Sequence, residues 1–228
     1  MEEGAKPMAA VALAWDGRRL RLSALARLRA NAELWTFCRT SRARVLAIDG
    51  PCGTSGLRLR RGGHGWDLRV RGGVRDGEAA LAREGFRLFW TTHATVARFD
   101  GASRWIARSL RLFADPGAPR GLARIEAYPH GAFAVLRRAL GARRPLPGKA
   151  TPAGRAARLA ILGRLVGGVS GAALPDHDAV DAAAAALTGA LRRLGMARAV
   201  GTEEGGGRIW LPDPGASGLP RALSRRIT

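Results

Sequence analysis

Apolar and polar positions alternate along the first thirty residues in a way that predicts a β-hairpin. Residues 8–15 (MAAVALAW) and 19–28 (RLRLSALARL) flank Asp16-Gly17, a dipeptide suited to the tight turn between paired strands. In the second segment Leu20, Leu22 and Leu28 alternate with Arg19, Arg21 and Arg27, the period of a half-buried strand. Residues 32–42 predict a helix with Asn31 as its N-cap. The apolar run from Val45 to Ile48 then predicts a buried strand, and it ends on Asp49 before Gly50-Pro51. A carboxylate there is either a turn residue, bonding nearby backbone donors, or a site residue. Ligands of open α/β sheets collect at the carboxyl ends of strands.

Residues 53–77 are rich in Gly and Arg. They form either a hairpin or a solvated insertion, with Arg58, Arg60, Arg61, Arg69 and Arg71 available to follow a phosphate backbone. Helices are expected over 78–84 and over 103–113, the latter with Trp105, Leu110 and Phe113 facing inward. The segment 122–133 (LARIEAYPHGAF) repeats the earlier pattern: an extended stretch ends near Glu126, and Pro129 sits where helices begin. A helix over 130–140 ends at Gly141. A Pro/Gly/Arg linker over 142–151 carries Lys149, and a helix over 152–166 follows. The clearest helix is LPDHDAVDAAAAALTGALRRLG, which opens on Pro and acids and closes on Arg192, Arg193 and Gly195. GRIWLPD reads as a last short strand, and 213–228 as a poorly ordered tail. The alternation predicts one α/β domain over residues 8–212.

Composition adds a polyanion partner. Lys plus Arg number 38 against 18 acids, for a net charge of +20. All but two of the basic residues are arginine. With abundant Ala, Gly and Pro, this reads as GC-rich coding, which accounts for Arg over Lys but not for the shortage of acids. A field this positive attracts nucleic acid, DNA or RNA, and the guanidinium fork suits phosphate. No apolar run reaches the ~18 residues of a membrane span, and the first ten residues lack a secretory h-region. Cys38 and Cys52 form no metal-binding pair. These features predict a reduced, cytoplasmic protein with no membrane partner.

Scarce acids make their placement informative. Asp49 and Glu126 each follow a predicted strand. Asp178 and Asp181 stand three apart and share a helix face. Acids in a first turn offset the helix dipole, which accounts for Asp176 and Asp178. It accounts less well for Asp181, one turn further in. A divalent cation explains the pair better, because hard ions such as Mg²⁺ prefer carboxylate oxygens. His130 and His177 flank these acids as proton carriers or as structural histidines. Lys149 is either a phosphate contact or a solvated loop lysine.

A hairpin, a helix, a strand ending AIDGP, a strand with EAYPHGAF and a late helix with HDAVDAAAAALT together resemble the predicted RNase H-like nuclease family known as domain of unknown function 429. GRAARLAIL and GTEEGGGRIWLP extend the resemblance over about residues 8–212. The motif Asp178-x-x-Asp181-Ala is also similar to that of Holliday-junction resolvases. The resemblance implies an RNase H-like α/β fold, a mixed central sheet flanked by helices. It also implies that Asp49, Glu126, Asp178 and Asp181 are catalytic. Of these, Asp49, Asp178 and Asp181 would hold Mg²⁺ or Mn²⁺.

One departure stands out. Such folds open on a strand carrying a central Asp, but only MEEGAKP precedes this hairpin, and Asp16 lies in its turn. The expected first strand is therefore missing or truncated here, which predicts weak metal binding and slow cleavage. Three functions follow: a metal-dependent nuclease impaired at that position, an inactive nucleic-acid binder of the same fold, or an actin- or sugar-kinase-like ATPase. GTSG at 53–56 is only a faint echo of the phosphate loop that the ATPase would need.

Overall fold

The structure is a computed structural model and describes residues 6–54, 57–62, 65–70, 74–88, 90–91, 104–142 and 144–216. Its elements in chain order are β1 (Met8–Trp15), β2 (Leu20–Leu28), α1 (Asn31–Thr40), β3 (Val45–Asp49), β4 (Leu57–Gly62), β5 (Gly65–Val70), α2 (Asp76–Arg83) and α3 (Arg104–Ala114). They continue with β6 (Ala123–Ala127), α4 (Pro129–Ala139), α5 (Pro152–Gly163), β7 (Val166–Gly167), α6 (His177–Arg193), β8 (Ala197–Val200) and β9 (Ile209–Pro212). Mixed sheets flanked by helices make this an α/β protein. The chain divides into two compact units. One holds residues up to Asp49, Pro116–Arg198 and Leu211 onward; the other holds Gly50–Asp115 and Ala199–Trp210.

The first unit opens on the expected hairpin. β1 and β2 pair antiparallel, with one register shift between Ala12 and Leu13. Asp16 organises the turn. Its Oδ1 accepts from the backbone N–H of Arg18 at 2.9 Å and Arg19 at 2.8 Å, and Arg21 Nε donates to Oδ2 at 2.6 Å. Gly17 takes the left-handed φ of 92° that the turn requires. Arg21 and these N–H groups hold the Asp16 carboxyl well below the usual range. It is a turn residue.

Helix α1 begins one residue earlier than the sequence suggests, so Asn31 is its first helical residue and not its cap. Glu33 does the capping. Its Oε2 accepts from the backbone N–H of Arg29 at 2.6 Å and Ala30 at 3.3 Å, satisfying donors the helix leaves free. Burial pushes the Cys38 thiol up to about 11, so it stays protonated and packs as an apolar group.

The expected single central sheet is instead three sheets. One has the order β1-β2-β7, a second β3-β6-β9-β8, and a third pairs β4 with β5. Among the described residues no strand joins β1 to β3. Helix α6 packs against both. The core of this unit gathers under α6: Phe133, Leu136, Leu162 and Leu174 meet Val180 and Leu187. The helix offers a stripe of small residues, so the strands approach closely. A Cβ placed on Gly189 would lie 3.2 Å from Val45 Cγ1 and 3.4 Å from Ala47 Cβ.

In the second unit β4 and β5 form an antiparallel hairpin, so the Gly/Arg-rich stretch is a hairpin. Arg71 and the side chains of Arg58, Arg60, Arg61 and Arg69 lie outside the described residues, as do positions 217–228 of the expected tail. Helix α3 faces inward with Ile106, Ser109 and Leu112, while Trp105 is 41% exposed. The inward face is thus one residue out of phase with the expected Trp105 face. Ser109 takes an interior place because its Oγ donates to Pro51 O at 3.0 Å, satisfying a polar group that burial would otherwise penalise.

Candidate functional site

Strand β3 and helix α6 bring Asp49 and Asp181 together by simple geometry. The helix lies over Val45 and Ala47 at Gly189. From Gly189 back to Asp181 the helix rises about 12 Å, and from Val45 on to Asp49 the strand rises about 13 Å. Val45, Ala47 and Asp49 alternate onto the same face, the one under α6. The strand's terminal carboxylate therefore meets the helix's first turns. The electrostatics agree. The Asp49 carboxyl is pushed from 3.8 up to about 7, first by burial, then by repulsion from Asp181, with smaller repulsion from Glu126 and Asp178 and partial relief from Lys149. Asp49 is solvent-exposed as a residue although dense protein surrounds its carboxyl, so an incoming ligand can touch it.

Glu126 is not on that face. Strands β3 and β6 pair in parallel with Ile48 opposite Glu126 and Asp49 opposite Ala127. Glu126 thus projects with Ile48, away from the α6 side. It is buried and its charge reaches Asp49, but the register separates the two carboxylates across the sheet. The residue following it, Ala127, occupies the Asp49 face with no chemistry to offer. A difference of one residue in register decides which of the two faces the helix.

The helix acids have separate duties. Asp176 is the N-cap: its Oδ1 accepts from Ala179 N–H at 3.0 Å, and its Oδ2 pairs with Arg27. Asp178 pairs with Lys6 and lies 3.2 Å from His177 Nε2. Asp181, buried one turn on, receives Lys149 Nζ at 3.1 Å. Asp176 caps the helix and Asp178 lies in its first turn, as dipole compensation expects, while Asp181 lies beyond that turn; Lys6 and Lys149 pair with Asp178 and Asp181.

The profile of the family described as protein of unknown function (DUF429) matches residues 5–205. The chain belongs to this family. No curated protein and no solved structure matches it.

The DUF429 chain adds three residues that sequence reading passed over or left undecided. Tyr128 sits beside Asp49, and its phenol is raised to about 12 by burial and by that carboxylate. Arg158 is buried, stacks on Phe133 at 5.5 Å and donates from Nη1 to Pro147 O and Gly154 O. Its Nε finds no hydrogen-bond partner among the described residues. One arginine among so many gives no signal in the sequence. His130 is pushed below its ordinary value, first by burial and then by Arg158, so it is neutral near pH 7 and able to accept a proton.

Asp49, Asp178 and Asp181 present only carboxylate oxygens, the donors that Mg²⁺ and Mn²⁺ take. Their mutual repulsion, expressed in the raised Asp49 carboxyl, is what a cation relieves. In donor chemistry the residues fit such an ion. As the side chains stand, no three His, Cys, Asp or Glu among the described residues form a group placed to hold a metal, and the lysines take two of the three carboxylates.

The raised Asp49 value carries a stability consequence. Between about pH 4 and pH 7 the native chain holds a proton that the unfolded chain has lost, so this residue lowers stability as pH rises through that window. Asp49→Asn is expected to melt about 2–4 °C higher than the native chain near pH 8, a gain limited to ~1 kcal/mol because solvent screens the tip. The gap should close by about pH 4. An equal gap at both pH values would contradict the assignment.

Proposed function

We propose that this chain is a metal-dependent phosphodiesterase acting on DNA or RNA, with an RNase H-like arrangement of β3, β6 and α6 around its site. One observation carries the reading: a strand-end carboxylate and two carboxylates of one helix share a face, and Asp49 is raised to about 7 by burial and their repulsion. Asp49, Asp178 and Asp181 would hold Mg²⁺ or Mn²⁺. The ion, when bound, supplies charge stabilisation and a more acidic bound water. The chain's own residues do the rest. Neutral His130 takes a proton, the exposed Lys149 ammonium offers a donor to a phosphate oxygen, and Arg158 adds fixed positive charge behind Asp181. Glu126 acts on Asp49 through its field and not as a shared ligand.

A second reading is favoured by the lysine pairs: a chain whose acids are already neutralised binds nucleic acid without cutting it. Both readings rest on the net charge of +20 and share one expectation. Affinity for a short duplex should fall roughly a hundredfold or more from about 50 to about 200 mM salt, because each neutralised phosphate releases a counter-ion. A flat salt response would remove both. Incubation of labelled DNA and RNA with Mn²⁺, against an EDTA control, separates them. Cleavage only with Mn²⁺ supports the nuclease, and binding without cleavage supports the alternative.

A further inference from the structure

Helix α4 begins without the negative charge that a helix N-terminus calls for. No acidic residue lies in its first turn, and Tyr128 gives it no capping hydrogen bond. Pro129 has no N–H, so the N–H groups of His130 and Gly131 are the first donors without an acceptor inside the helix. Positive charge gathers there instead. Arg158, on α5, is 3% exposed. Its guanidinium stacks on Phe133 at 5.5 Å, three residues past His130 and so on the same face of α4. The His130 imidazole feels the charge of both Arg158 and Lys149. One edge of the buried guanidinium is already used: Nη1 donates to Pro147 O at 3.0 Å and to Gly154 O at 2.9 Å. Nε, on the other edge, is buried and finds no hydrogen-bond partner among the described residues. A charged donor buried this deeply is costly unless it is used, and a guanidinium edge takes two oxygens of a phosphate or a carboxylate at once. Asp181 reaches Arg158 through its charge, while its own Oδ2 accepts from Lys149 at 3.1 Å.

Resting on the nucleic-acid binding proposed above, we propose that the N-terminus of α4 and the buried Arg158 form a phosphate-binding site, filled by a phosphate group of the bound strand. An anion there takes the free N–H donors and the positive pole of the helix together. Arg158 adds a fixed charge and its unused edge. His130 is exposed as a residue and the Lys149 side chain is 54% exposed, so the place is open to solvent on their side. All the donors are N–H groups, and the site calls for no metal ion. A carboxylate would fit the same fork, but a net charge of +20 draws a polyanion, which favours phosphate. Tyr128, the residue before α4, stands beside Asp49. A phosphate held at α4 is therefore presented to the carboxylate that ends β3.

The test is a calorimetric titration of the full chain with inorganic phosphate, at an ionic strength held constant with chloride. One saturable site with a Kd on the order of 1 mM is expected. His130→Glu puts a carboxylate into the first turn of α4, where it takes the place of the anion, and should weaken phosphate binding about tenfold or more. Arg158→Lys keeps the charge but loses the fork, and should weaken it about tenfold. Should Arg158→Lys not fold, His130→Glu carries the test, because His130 is exposed. Arg193→Met, about 18 Å along α6 from Asp181, lowers the net charge by the same unit as His130→Glu and should change binding less than about twofold. In competition, a short DNA duplex should displace the phosphate. No saturable phosphate binding by the native chain, or equal weakening by His130→Glu and Arg193→Met, would overturn the site while leaving nucleic-acid binding in place. Phosphate that stays bound while the duplex binds would overturn its assignment to the strand. Phosphate binding by a chain that binds no duplex would overturn that assignment and the nucleic-acid reading together.

Discussion

A chain carrying Asp49→Asn is expected to bind nucleic acid with nearly native affinity and salt dependence and to lose Mn²⁺-dependent cleavage, by on the order of a hundredfold or more. The two effects separate because they have different sources. Binding draws on the excess of basic residues over the whole surface, and one neutralised acid barely alters that field. Cleavage, on the proposed reading, needs the ion held between β3 and α6. Asn keeps the shape of Asp and can offer one neutral oxygen, but it removes the negative charge that repels Asp181 and would attract the cation. Cleavage that persists in Asp49→Asn at native rates would place the chemistry on other residues. A parallel loss of binding would mean that the substitution had damaged the fold.

The second large effect concerns stability in the unit that holds α2. Arg75 is completely buried and Glu78 nearly so. Their side chains pair at 3.3 Å, Arg75 Nε donates to Gly206 O at 3.0 Å, and Glu78 accepts the Thr91 N–H at 3.1 Å. Removing one member of a buried pair strands the other's charge, at a cost of about 3–5 kcal/mol. Arg75→Met should therefore lower the urea midpoint of this unit by that equivalent. Arg75→Met combined with Glu78→Met should recover much of the loss, because replacing both partners by apolar groups removes the stranded charge. A single-variant cost below about 1 kcal/mol would show that water or a neighbouring group takes over the role of the guanidinium.

Much of the fold was legible because its elements carry strong local signals. Asp16-Gly17 fixes the first hairpin, Pro129 and Gly141 bracket α4, and Asp176 with Gly195 bracket α6. What failed has a physical cause in each case. Strands β7 and β8 are two and four residues long, too short for a period to register. Asn31 looks like a cap, but Glu33 satisfies the free donors one residue earlier. Trp105 looks like core, but a hydrogen-bonded Ser109 gives the inward face to its neighbours.

The candidate site divides the same way. Asp49, Asp178 and Asp181 stood out because acids are scarce and their spacing is helical. The register that turns Glu126 to the other face depends on a pairing no sequence pattern states. The pairing of both lysines with these acids is likewise tertiary, since each lysine is far from its acid in the sequence. Arg158 and Tyr128 join the site only through packing.

On the proposed reading, Asp49, Asp178 and Asp181 hold one divalent cation. Anomalous diffraction from crystals soaked in Mn²⁺ tests it most directly. A single peak is expected within metal–oxygen bonding distance of Asp49 and of at least one of Asp178 and Asp181. A peak elsewhere on the chain, or no peak at Asp49 under saturating Mn²⁺, would overturn that reading.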